Sequence, residues 1–262
     1  MLARRDVIKG LGMGLTTLPL ATVLANPALV RAAADTVQQV ESTLPSGKTV
    51  AAALAMPATL PAPAVVLIHE WWGLNDQIKA VAADFAAQGY IALAIDLMDG
   101  KVATTPEEAK AQTAAVGADP QTAIETCTLW TDWLRGHKDS TGKVGSCGWC
   151  FGGGWSLNTS LATPIDATVI YYGRVTQSAE ELAALNGPVL GHFATKDNFI
   201  NAAMVNGFIE QMGKAGKSLT VYWYEADHAF ANPTSSRYDQ EDAASAWDRT
   251  KGFLAQNLEL KI

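Results

Sequence analysis

Cys150 lies at the centre of Gly148-Trp149-Cys150-Phe151-Gly152-Gly153, between a strand-like run and a helix-like run. A nucleophile on a sharp strand-to-helix turn needs glycine two residues before and two after it, where a Cβ would clash, and this segment has both. The start of the following helix directs backbone N–H groups at the side chain, which favours a thiolate and a developing oxyanion. Two partners follow. Asp197 stands in Ala194-Thr195-Lys196-Asp197 and His228 in Glu225-Ala226-Asp227-His228-Ala229-Phe230, each just past a predicted strand. The order is nucleophile, acid, histidine. Such a set predicts acyl transfer, in which His228 takes the thiol proton and later activates water, and Asp197 holds the imidazole tautomer. Asp227 is adjacent to His228 and badly placed to orient that ring. The other histidines, His69, His137 and His192, read as structural.

A competing pattern overlaps this one. Cys147-Gly148-Trp149-Cys150 is a C-x-x-C after a strand, which reads as a dithiol redox pair. That chemistry calls for no acid and histidine on later strands. Cys147 alternatively reads as a small buried strand residue, and Cys127 as core. No group of His, Cys and carboxylates has metal-ligand spacing, so neither metal nor cofactor is expected.

The elements that must position these residues alternate along the chain. Strands are predicted at Thr49–Met56, Ala64–His69, Tyr90–Ile95, Lys143–Cys147, Ala167–Tyr172, Val189–Phe193 and Leu219–Tyr224. Ala64-Val65-Val66-Leu67-Ile68-His69 is an unbroken apolar run, the mark of a strand buried on both faces. Helices are predicted over Ile78–Gln88, Pro106–Ala115, Thr122–Leu134, Gly153–Ala162, Ala202–Ala215 and Asp239–Leu258. Strands separated by helices pair in parallel through right-handed crossovers. The expected architecture is α/β, one open, mostly parallel sheet with helices on both faces. Ligands of such sheets sit beyond the carboxyl ends of the strands, where Cys150, Asp197 and His228 fall.

The front of the chain reads differently. Ala3-Arg4-Arg5-Asp6-Val7-Ile8-Lys9 pairs two arginines ahead of apolar residues, Leu11 to Leu29 carry no charge, and Ala32-Ala33-Ala34 offers a small-x-small cleavage site. Residues 1–34 thus resemble a twin-arginine signal peptide, with a folded domain at 35–262 exported to the periplasm or the medium. Pro19 and Pro27 interrupt the apolar run, which suits a signal better than a spanning helix. No other apolar run is long enough to span a bilayer, so no stable membrane insertion is expected once the leader is gone.

Across all 262 residues, 48% are hydrophobic and 17% charged, which suits a globular chain and excludes a disordered or collagen-like one. The formal charge of −7 argues against binding nucleic acid or anionic lipid, which needs a basic surface.

The chain resembles the dienelactone hydrolase (carboxymethylenebutenolidase) family in five ordered stretches: His69-Glu70-Trp71-Trp72-Gly73-Leu74-Asn75, Gly148 to Gly153, Tyr171-Tyr172-Gly173, Asp197, and His228-Ala229-Phe230. The resemblance implies an α/β-hydrolase fold, a Cys150-His228-Asp197 triad, and cleavage of a small ester or lactone through a thioester. It also implies that Glu70 hydrogen-bonds the resting thiol and helps to activate it. The oxyanion hole would be the backbone N–H groups of Trp71 and Phe151. A catalytically silent member kept for binding would lack a reason to retain the triad. Two departures stand out. The family holds the dienelactone carboxylate with two arginines, and here Asn232 and Gly100 (with Lys101 beside it) occupy those places. Weak binding of an anionic lactone follows, unless Arg174 supplies charge from another direction. Trp72, Trp149 and Tyr172, with Trp71, predict a pocket with aromatic walls.

Overall fold

The computed structural model describes residues 18–260. The paired arginines Arg4 and Arg5 lie outside the described residues. Two short helices, α1 (Leu20–Leu24) and α2 (Pro27–Ala34), precede strands β1 (Gln38–Thr43), β2 (Thr49–Ala55) and β3 (Ala62–Ile68). Then come α3 (Asp76–Ala87), β4 (Ile91–Ile95), α4 (Pro106–Ala118), α5 (Pro120–Arg135), β5 (Ser140–Trp149) and α6 (Phe151–Ala162). The chain continues through β6 (Ala167–Tyr171), α7 (Ala179–Leu182), β7 (Val189–Ala194), α8 (Ala202–Lys214), β8 (Leu219–Tyr224) and α9 (Gln240–Asn257).

The eight strands form one sheet in the order β1-β2-β4-β3-β5-β6-β7-β8. From β4 to β8 every neighbouring pair is parallel, whereas β1 and β2 are antiparallel to each other and β2 is antiparallel to β4. Crossover helices force the parallel part. The Leu44–Lys48 turn, with Gly47 at φ +87°, makes β1 and β2 a hairpin. The sequence gives no strand signal for β1. Gln-Gln-Val-Glu-Ser-Thr is polar, and its backbone pairing with β2 at the sheet edge stands in for a buried face.

Alternation along the central strands sends side chains to two separate cores. Val65 and Leu67 of β3, Ala92 and Ala94 of β4, and Cys147 and Trp149 of β5 face α3 and α9. Ala64, Val66 and Ile68 face α5 and α6, where Cys127, Trp130 and Leu134 pack. Each fully buried large side chain stabilises the fold by about 1.5–3 kcal/mol. The helices start where caps stand. Asn75 accepts the Ile78 N–H at 3.2 Å ahead of α3, and Thr105 with Glu108 forms a capping box ahead of α4. Ile78, Val81, Ala82 and Phe85 then turn one stripe of α3 inward.

Residues 20–34 dock on this same face. Val23, Leu24 and Ala33 are buried in contact with the α3–α9 core, Ala34 is also buried, and Arg31 pairs with Asp76 at 3.3 Å. The Ala32-Ala33-Ala34 site therefore sits in a docked helix. Among the described residues no helix is long and apolar enough to cross a membrane.

Candidate active site

The elbow has the backbone its spacing predicts. Cys150 stands between β5 and α6 at φ +56°, ψ −116°, a left-handed conformation that a side-chain-bearing residue adopts only under constraint. The constraint is visible. Cys150 N–H donates to the Tyr171 carbonyl at 3.0 Å, and its own carbonyl accepts from Gly153 N–H at 3.0 Å. A Cβ on Gly148 would overlap the Gly152 carbonyl, and one on Gly152 would overlap the Ile68 carbonyl. The two glycines thus let the start of α6 lie against the end of β3.

Three strand ends converge on the sulfur. His228 Nε2 is 3.1 Å from Cys150 Sγ, and His228 Nδ1 is 2.6 Å from Asp197 Oδ2. Asp197 Oδ1 accepts the N–H groups of Phe199 and Ile200 at 2.7 and 2.9 Å. Burial alone would raise the Asp197 carboxyl, but the His228 bond and these two N–H groups outweigh it and hold it below the usual carboxylate range.

The Cys150 thiol behaves oppositely. Burial and then the Glu70 charge push it up to about 12, although the nearby backbone N–H groups of Phe151 and Trp71 favour the thiolate. The helix start at Phe151 acts in the expected direction and is outweighed.

Glu70 lies two residues beyond β3 and is buried. Tyr172 Oη donates to its Oε1 at 3.3 Å, and Asn232 Nδ2 donates to its Oε2 at 2.5 Å. Neither oxygen hydrogen-bonds to Cys150 Sγ, in contrast to what the family resemblance implies, so Glu70 acts on the thiol through its charge when ionised. Burial raises its own carboxyl above the usual carboxylate range, and the Asn232 and Tyr172 hydrogen bonds offset only part of this. Asn232 is itself fixed. Its Oδ1 accepts from Thr234 N–H at 2.9 Å, Thr234 Oγ1 at 2.7 Å and Gln77 Nε2 at 3.0 Å. A backbone N–H can only donate, so the amide nitrogen must face Glu70. The residue that stands in place of a family arginine is thus committed to the carboxylate behind the nucleophile.

A cavity of about 1010 Å³ opens over Cys150 and His228. Trp71, Trp72, Tyr172 and Phe199 give it aromatic walls, and Arg174 and Arg237 line it. Phe199, 69% exposed, stands at its rim with its ring 5.7 Å from that of His228. Gly100 and Lys101 do not line this cavity, and Lys101 lines a separate one. Trp149 is also elsewhere. It stacks on Tyr171 at 5.4 Å and lines a second cavity of about 500 Å³, bounded in part by Leu20 and Leu24. Strand alternation explains this, since Trp149 shares the face of Cys147 while the chain turns before Cys150. Glu70, Tyr172 and Asn232 line both cavities.

Arg237 carries no signal in the sequence. It follows His228 in a Ser-rich loop with no motif, and only the fold brings that loop over the cavity. All three cysteines are free thiols, and Cys147 is fully buried. Among the described residues no group of three or more His, Cys, Asp or Glu is arranged to hold a metal ion.

Comparison with known proteins adds a lineage to this geometry. The sequence model of the dienelactone hydrolase family matches residues 50–258. The carboxymethylenebutenolidases of Pseudomonas putida and Pseudomonas knackmussii are each 30% identical over 218 residues, covering 80% of this chain and 92% of theirs. Among solved structures, a dienelactone hydrolase-like promiscuous phosphotriesterase from metagenomic libraries shares the fold. Its TM-score is 0.77 at 20% identity, covering 85% of this chain and 99% of that one.

Proposed function

Because the chain belongs to the dienelactone hydrolase family of α/β-hydrolases, and is a hydrolase of the carboxymethylenebutenolidase type, we propose that it cleaves a small ester or lactone by acyl transfer through Cys150. The observation that carries this reading is the hydrogen-bonded line from Cys150 Sγ to His228 to Asp197, at 3.1 and 2.6 Å, at the mouth of one cavity.

The steps follow from the geometry. As the thiol proton passes to His228 Nε2, Sγ attacks the substrate carbonyl carbon. The carbonyl oxygen gains the negative charge and is stabilised by the N–H groups of Trp71 and Phe151, which lie close enough to favour the thiolate at rest. When the tetrahedral centre collapses, the C–O bond breaks and the departing oxygen takes the proton from His228. A lactone ring opens here, with the new hydroxyl still tethered to the thioester. Water then gives a proton to His228 and attacks the thioester. Collapse expels the sulfur, which recovers the proton as a thiol. Asp197 stabilises the imidazolium in both halves, and Glu70 opposes thiolate formation until substrate enters. Intact mass after rapid quench tests the reading, with an acyl adduct expected on the peptide that contains Cys150. Turnover without any such adduct would overturn it.

Trp72 and Tyr172 are the proposed aromatic contacts for the substrate, and Arg174 with Arg237 the source of positive charge. Neither arginine has an ion-pair partner within 4.0 Å among the described residues. A charge-assisted hydrogen bond from a half-open wall contributes about 1.5 kcal/mol, roughly tenfold in rate. Replacing both arginines by Gln is therefore expected to lower kcat/KM about tenfold for a carboxylate-bearing lactone and to leave a neutral ester of similar size within about twofold. Equal losses on both substrates would count against an anion subsite.

Export by the twin-arginine route, to the periplasm or the medium, completes the reading, with residues 1–34 as leader and 35–262 as the exported domain. It is supported by Arg4-Arg5 and the uncharged run behind them. The docking of α2 adds a condition, since a peptidase cutting after Ala34 must first draw that helix off α3. Lysine at both Arg4 and Arg5 is expected to leave precursor in the cytoplasm. Undiminished export of that variant, read by fractionation, would refute the route.

A further inference from the structure

His69 does no chemistry in the mechanism above. It is fully buried just beyond β3, with both ring nitrogens engaged. Leu97 N–H lies 3.2 Å from Nε2. A backbone N–H only donates, so Nε2 is the acceptor and the ring proton sits on Nδ1. Nδ1–H then donates to the Glu70 carbonyl oxygen at 2.6 Å. Burial keeps the imidazole below its ordinary pKa, so this tautomer is the resting one.

The Glu70 carbonyl and the Trp71 N–H belong to one peptide unit. That unit is rigid and trans, so the two groups point in opposite directions and fixing one aims the other. Trp71 N–H is one of the two backbone donors whose nearness favours the Cys150 thiolate, and Trp71 lines the same cavity as Cys150. The other, on Phe151, is aimed by helix α6. Trp71 has no such frame, because residues 69–75 form neither helix nor strand. What holds this peptide unit is the pair of bonds to its carbonyl, from His69 Nδ1 and from Gly73 N–H at 3.3 Å. Leu97 ties the other side of the ring to the segment just past β4, whose strand pairs with β3.

We propose that His69 is a positioning residue of the oxyanion hole: by clamping the Glu70 carbonyl it aims the Trp71 N–H at the oxygen that gains charge in the transition state. The proposal rests on the acyl-transfer reading, and two substitutions in the full chain separate it from a packing role. Asn places its amide nitrogen where Nδ1 lies and keeps the donor to Glu70, losing the bond to Leu97. Gln reaches the Nε2 position and keeps an acceptor for Leu97, losing the donor to Glu70.

Losing an oxyanion donor outright costs about 10²–10³ in kcat, and misaiming one costs less. His69→Gln is expected to lower kcat on a neutral aryl ester about 10- to 100-fold with KM within about twofold. His69→Asn is expected to recover most of that loss, even where both variants melt at the same reduced temperature. A 3-arylacryloyl ester supplies the second readout, since its thioester absorbs at longer wavelength as the carbonyl is polarised. The absorption of the acyl-enzyme should move to shorter wavelength in His69→Gln and far less in His69→Asn. Equal kcat losses in the two variants, or an unshifted thioester in His69→Gln, would overturn the proposal. A parent protein that turns over the ester without forming a thioester would instead overturn the acyl-transfer reading, and this inference with it.

Discussion

Cys150→Ala is expected to reduce ester or lactone turnover by at least about 10⁴-fold while leaving the protein folded. The size follows from the role. Without the sulfur no thioester forms, and His228 can at best activate water against a carbonyl that the two N–H groups still polarise. That remnant is small, because the water is held by no covalent tether. Folding should survive because the elbow is held by backbone groups. Cys150 N–H bonds Tyr171, and the glycine contacts around it involve no sulfur. Alanine at φ +56° carries the same strain that cysteine already tolerates. Cys150→Ser is the more telling variant. The hydroxyl fits the site, but its pKa is far higher and the site's negative charges oppose an alkoxide as they oppose a thiolate, so kcat should also fall by orders of magnitude. Turnover in Cys150→Ala within tenfold of the parent, on purified protein of unchanged melting temperature, would remove Cys150 from the mechanism.

Most of the frame that holds this residue was legible in the chain. β3 and β4 are continuous apolar runs because both of their faces are covered by helices, and a run buried on both sides leaves no alternation to misread. The elbow was legible because its glycines answer a steric demand that no other residue type meets. β1 was not, since an edge strand is set by its neighbour's backbone and its side chains carry no buried pattern. Nearness to Cys150 in sequence points Trp149 at the pocket, and the fold puts it on the Cys147 face of the sheet, lining the second cavity. Adjacency along a strand places neighbours on opposite faces, and the turn after Trp149 completes the separation. Asn232 shows the deepest limit. Its place in the family pattern suggested only a missing arginine. Its actual task depends on Gln77 and Thr234, and the first of these is 155 residues away in the chain.

The resting thiol gives the second large effect. With Cys150 pushed up to about 12, the thiolate fraction at pH 7 is about 10⁻⁵, against roughly 3% for an ordinary cysteine. The sign follows from the surroundings. Burial removes water from the charged form, Glu70 and Asp197 add like charge beside it, and the N–H groups of Phe151 and Trp71 offset only part of this. Only the thiolate alkylates, so iodoacetamide should react with Cys150 very slowly at pH 7. Its rate should climb about tenfold per pH unit from 7 to 10 with no plateau. Peptide mapping separates this from Cys127 and Cys147, which are fully buried and also held as thiols. Glu70→Gln tests the cause. The amide keeps an oxygen for one of the two donors but loses the charge, and removing a neighbouring carboxylate lowers such a pKa by about one unit or more. Alkylation at pH 8 should therefore rise roughly tenfold in that variant while ester turnover falls. A plateau in the parent's alkylation rate near neutral pH would mean that Cys150 and His228 already share a thiolate–imidazolium pair. In that case the Glu70 charge fails to keep the thiol protonated, and because the sulfur is already ionised on the plateau, replacing Glu70 would leave the alkylation rate there where it was.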